Sequence, residues 1–175
     1  SILSVFPLAE QIPAEESSLW SPNQIPPELT DTPTFYQHII GPTPPTAFQC
    51  TELATTLQED IELLGCSDGS YVEETGDSYH GWILASDNRK TIAEGSGPGH
   101  GHPDLLLSYR SELCGILAIL YIVQRVCHSH RITSGTLRMY CDNKSALLKT
   151  ITTGLRGISP FFSADNDLIA LIRLQ

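Results

Sequence analysis

No lysine or arginine occurs before residue 89, and the 175-residue chain holds only ten of them against twenty acidic residues, a net charge of −10. Binding to phosphates needs Lys and Arg, so a chain this acidic is not an obvious nucleic-acid binder. All of the basic residues fall in the second half. Long apolar runs are also lacking. The longest, Leu113 to Val123, is too short to span a bilayer, and no charged-then-apolar amino terminus resembles a signal peptide. We therefore expect no membrane association. Cysteine is sparse and odd in number: Cys50, Cys66, Cys114, Cys127 and Cys141, four of them inside apolar elements. That excludes a disulfide framework and predicts reduced core thiols in an intracellular protein, of cytoplasm or nucleus. The chain begins at Ser1 and its single methionine is Met139, so it is expected to be a piece of something larger.

Other signals are incomplete. Gly95 to Gly101 lacks the Lys-Ser/Thr that turns a glycine-rich stretch into a phosphate loop. His100 and His102, like His128 and His130, have metal-ligand spacing without matching ligands elsewhere, and read as solvated residues. There is no internal repeat.

What is present has order. Residues 1 to about 50 are rich in Pro, Ser, Thr and Glu, which interrupts any long helix. They read as a linker or wrapping segment, with Trp20, Phe35, Tyr36, Ile39 and Ile40 able to dock it on a neighbouring surface. Thr51 to Asp60 reads as weakly helical or irregular. Ile61 to Val72, Asp77 to Ser86 and Lys90 to Ser96 read as three strands in an antiparallel meander. Gly95 to Pro103 reads as mostly loop. Ser108 to Val126 is apolar nearly all round and reads as a buried helix. Thr136 to Cys141 is a fourth strand, parallel to the first through a right-handed crossover. Short helices are expected over Ser145 to Ile151 and Asp167 to Leu174. The fold class is thus α/β, a mixed sheet with helices packed on it, over residues 51–175.

Three acidic residues mark the edges of these elements: Asp68 on the first strand, Glu112 near the helix start and Asp142 at the end of the fourth strand. Each alone reads as a turn or helix-dipole residue. Together, in this topology, they converge on one edge of the sheet. Three carboxylates there cannot all stay ionised without a cation. Mg²⁺ prefers such oxygens and shares its shell with substrate phosphates.

Three segments carry a resemblance: Cys66-Ser-Asp-Gly-Ser70, Tyr109-Arg-Ser-Glu-Leu113 and Tyr140-Cys-Asp-Asn-Lys-Ser-Ala146. In that order and on those elements, they resemble the type 1 ribonuclease H domain of reverse-transcriptase polyproteins in retroelements. The resemblance covers residues from about 61 to 175. It implies a ribonuclease H-like fold in which Asp68, Glu112 and Asp142 hold two Mg²⁺ ions, with Mn²⁺ the alternative. It implies hydrolysis of the RNA strand of RNA–DNA hybrids to a 3′-hydroxyl and a 5′-phosphate. Gly69 and Ser70 match positions that meet the RNA, Asn143 beside Asp142 would take a similar polar contact, and Arg110 and Lys144 would contact phosphates. An upstream reverse-transcriptase region is implied as a partner.

The family also has a further strand and a carboxyl-terminal acidic ligand, which would lie beyond Gln175. Of the later acids here, Asp165 and Asp167 suit helix capping better. Two rivals stand beside this reading. One is another nuclease of the same scaffold, although proofreading exonucleases show Asp-x-Glu where this chain has Asp68 and Ser70, and integrases carry their last acid on a later helix. The other is a non-catalytic interaction domain, a decayed copy.

Overall fold

A computed structural model describes residues 18–99 and 108–142. Four strands form one sheet in the order β3-β2-β1-β4. Strand β1 is Leu63–Val72, β2 is Asp77–Ser86, β3 is Thr91–Pro98 and β4 is Leu137–Cys141. β1 pairs antiparallel with β2, from Leu63 opposite Ser86 to Val72 opposite Asp77. It pairs parallel with β4, from Leu63 beside Leu137 to Ser67 beside Cys141. Strand order and senses are those of the ribonuclease H-like fold, as the sequence predicts.

The helices are α1 (Thr34–Ile40), α2 (Ala47–Gln58) and α3 (Ser108–His130). Side chains alternate cleanly along the sheet. Leu63, Ser67, Ser78, His80, Trp82 and Leu84 are buried toward the helices, while Cys66, Asp68, Ser70, Tyr79 and Ile83 are exposed on the other face. That period of two is the signature of a sheet covered on one side.

Helix α3 lies across β1 and β2. It meets them closely at Gly115, where a Cβ would stand 2.9 Å from the Gly81 carbonyl oxygen. By length and composition Tyr109–His130 is long and apolar enough to cross a membrane, longer than the apolar run suggests. Here Leu113, Ile116, Leu117, Ile119, Ile122 and Val126 are buried in the core. The helix runs past the expected Val126 and stops at His130, where Arg131 takes a left-handed conformation (φ 55°) and the Ile132 N–H bonds back to the Cys127 carbonyl at 2.9 Å.

The first 50 residues, read as a linker or wrapping segment, wrap the fold through the side chains expected to dock, Trp20, Tyr36, Ile39 and Ile40, with Phe35 packed against them. From Ser18 on they belong to the same core: Trp20, Leu29, Tyr36, Ile39, Ile40 and Cys50 join the cluster that α3 and the sheet build. Two 3-10 turns, Pro22–Gln24 and Pro27–Leu29, lead into α1, and α2 runs through the boundary expected at residue 50. Ring N–H groups take the last carbonyls of α1: His80 Nε2 donates to Ile39 at 2.6 Å, Trp82 Nε1 to Ile40 at 2.9 Å, and Trp20 Nε1 to Gly41 at 2.7 Å. These are the acceptors a helix end leaves open.

The same docking accompanies the extension of β3 to Pro98, two residues past the expected Ser96 and into the stretch read as mostly loop. A Cβ at Gly95 would stand 2.7 Å from the Ile40 carbonyl oxygen, so α1 reaches the sheet only over a glycine. The expected helices after Ser145 lie outside the described residues.

Candidate metal centre

Glu112 is the centre of the site. It sits in the first turns of α3, is 1% exposed, and points back at the sheet. Cys141 Sγ donates to its Oε2 at 3.2 Å, and Ser67 Oγ lies 3.4 Å from the same oxygen while donating to the Glu112 carbonyl at 2.9 Å. The backbone N–H of Gly69 also bonds its carboxylate. Burial pushes the Glu112 carboxyl above the ordinary carboxylate range. The Cys141 thiol and the Gly69 N–H pull it back, and Asp142 beside it pushes it up again.

Asp142 follows the last residue of β4 and is exposed. Glu112, Cys141 and Asp142 form a group whose donor atoms all lie within 4.8 Å of one another. Asp68 is outside that group. It follows Ser67, the β1 residue that pairs with Cys141, just as Asp142 follows Cys141. Its side chain is exposed and alternates to the face opposite Ser67, and it lines a cavity of about 520 Å³ with Cys66, Trp82, Glu94, Ile40 and Pro42. All three acids still act on one neighbour. Burial pushes the Cys66 thiol up, and the charges of Asp68, Glu112 and Asp142 push it further.

The expected substrate residues divide. Gly69 is half-buried and Ser70 exposed, next to the site, with the Ser70 carbonyl accepting from Ser111 Oγ at 3.3 Å. Arg110, expected to contact a phosphate, is buried at 1% exposed. Asn143 and Lys144 lie outside the described residues, as do Asp165, Asp167, His100 and His102.

Sequence reasoning missed Cys141 and Ser67. Cys141 stood in the Tyr140-Cys-Asp-Asn segment as a strand residue, and its position beside Asp142 was the available signal. The oxygens of Glu112 and Asp142 suit a hard cation such as Mg²⁺. The third donor in the same group, a thiol, does not.

No family model matches the chain, and no curated protein matches it. Solved structures do. The chain is similar to the N-terminal RNase H domain of a Mycobacterium tuberculosis protein, solved as a fusion with maltose-binding protein. Identity is 14%, with a TM-score of 0.45, over 65% of this chain and 73% of that one. It is also similar to RNase H1 from the halophilic archaeon Halobacterium salinarum. There the identity is 16% and the TM-score 0.44, over 65% of this chain and 75% of that one. At these scores it is the strand order and register, and not the likeness, that carry the fold.

Proposed function

We propose that this domain is a divalent-metal-dependent endonuclease that hydrolyses the RNA strand of RNA–DNA hybrids. The observation that carries the reading is the buried Glu112 carboxylate, held between the Gly69 N–H of β1 and Asp142 at the end of β4. A carboxylate so placed is costly without a cation. Asp68, Glu112 and Asp142 are the residues assigned to hold Mg²⁺. When bound, such ions supply an activated water and neutralise charge on the leaving oxygen.

The remaining roles belong to the chain itself. Ser67 and Gly69 fix the orientation of Glu112 from the strand side. Ser70 and Gly69 are assigned the contact with the RNA, whose 2′-hydroxyl distinguishes it from DNA. Asn143 and Lys144 follow Asp142 in sequence and are assigned the adjoining polar and phosphate contacts. The wider setting belongs to the same proposal: an intracellular retroelement polyprotein with a reverse-transcriptase region upstream. One observation favours the non-catalytic reading, namely that Cys141, and not Asp68, completes the close donor group.

Cleavage of a labelled RNA–DNA hybrid in Mg²⁺ decides between them, using the natural full-length chain and its Asp68→Asn, Glu112→Gln and Asp142→Asn variants. We expect cleavage by the unmodified chain and losses on the order of 10²–10³-fold in each variant. Mg²⁺ should also raise the unfolding midpoint of the unmodified chain more than that of Asp142→Asn. A folded chain that neither cleaves nor gains stability with Mg²⁺ leaves the interaction domain as the account.

A further inference from the structure

Cys141 sets this cleft apart from an all-oxygen site. Its thiol is half-buried and 3.2 Å from Glu112 Oε2, and it converges with Glu112 and Asp142 to within 4.8 Å. The donor set is therefore one sulfur and two carboxylates. Mg²⁺ takes oxygen ligands. Zn²⁺ is borderline-soft, accepts Cys sulfur together with Asp or Glu oxygen, and commonly uses three protein ligands with a fourth position open. Contacts from outside the group already orient it. The Gly69 N–H and Ser67 Oγ hold the Glu112 carboxylate, and Ser67 sits on β1 directly beside Cys141 on β4. Such supporting contacts are what a metal centre needs to keep its ligands in place.

We propose that Glu112, Cys141 and Asp142 form a Zn²⁺ site, with Cys141 as the ligand that selects thiophilic over hard cations. On binding, the S–H bond of Cys141 breaks, its proton leaves to solvent, and the sulfur electron pair forms the bond to the metal. No oxidant or reductant takes part. The site shares Glu112 and Asp142 with the Mg²⁺ assignment above, so Zn²⁺ bound here would keep Mg²⁺ from those oxygens. The test below reads the sulfur ligand and not hydrolysis, so its failure and the failure of the nuclease reading are distinguishable.

Co²⁺ reports on it directly, because a thiolate ligand gives cobalt a charge-transfer absorption in the near ultraviolet. The full chain, freed of metal, is titrated with Co²⁺ and then with Zn²⁺ or Mg²⁺. We expect the band to form, to be bleached by Zn²⁺ and to survive the same concentration of Mg²⁺. It should persist in Cys66→Ser and be absent from Cys141→Ser, whose Zn²⁺ affinity against a chromogenic chelator should fall by roughly tenfold or more. A chain with no band, or a band that persists in Cys141→Ser, overturns the site. A band lost only in Cys66→Ser does the same. A second measurement needs no variant: Zn²⁺ should protect Cys141 of the unmodified chain from iodoacetamide, read by peptide mass spectrometry. Equal labelling of Cys141 with and without Zn²⁺ refutes the proposal.

Discussion

Ser67 and Asp68 are neighbours on β1 and face opposite ways. Ser67 is buried against Glu112, and Asp68 opens on the far side of the sheet. The sequence makes both legible as polar residues in an apolar strand, but only the register with β4 shows which of them meets the helix. His80 is the clearest case of a residue the sequence does not explain. It is 2% exposed, donates to the Ile39 carbonyl, and burial lowers its pKa to about 4. The ordinary value is near 6.5, so the folded state holds His80 neutral while the unfolded chain protonates it. The resulting stability is fully present above about pH 6.5 and is lost as pH falls toward 4, by about 3 kcal/mol from this group. In His80→Gln, whose amide can still donate to Ile39, the unfolding midpoint should depend less on pH between 6.5 and 4. An unchanged slope in thermal melts across that range would show that His80 is not the group responsible.

At the scale of elements, the meander and the buried helix were readable because each carries its period. β2 runs from Asp77 to Ser86 as the alternation predicts. Helix α2 was readable only as weakly helical or irregular, and from Thr51 rather than Ala47, because its threonines disguise it. Thr51, Thr55 and Thr56 are poor helix formers, but their hydroxyls bond back to the carbonyls of Ala47, Thr51 and Glu52 at 2.9, 3.0 and 2.8 Å. Cys50, Leu53, Ala54 and Leu57 form the buried stripe. What starts the helix is a capping box. Thr46 Oγ1 accepts from the Gln49 N–H at 3.2 Å, and Gln49 Oε1 accepts from the Thr46 N–H at 2.8 Å. Thr46→Ala should cost about 1 kcal/mol, seen as a lower urea midpoint with an unchanged slope. Thr46→Ser should recover most of it.

For the whole molecule, the docking side chains of the first 50 residues were legible in the sequence, but the Pro-rich composition hid how completely the segment joins the core. Proline limits helix length, and short turns satisfy it, but composition says nothing about where apolar side chains go. Trp20, Leu29, Ile39 and Ile40 are all 2% exposed or less. A chain begun at Thr51 should therefore lose its cooperative unfolding transition, since it gives up these side chains together with the cap of α2 and all of α1. Retention of a sharp thermal transition by that truncation would restore the linker reading.

One arrangement ties this segment to the acidic cleft. Helix α3 carries Glu112 near its beginning. Near its end, Arg125 donates to the carbonyls of Glu28 and Thr30, each at 3.2 Å, and His130 bonds the Glu28 carboxylate at 2.8 Å. Thirteen residues separate Arg125 from Glu112, a span of about 20 Å along the axis. A stiff rod clamped at its far end cannot slide or roll freely at its near end. The position of the carboxylate is thus fixed in part by a clasp that shares no atom with it, and a substitution at Arg125 would act on the cleft as a misalignment rather than as a missing group.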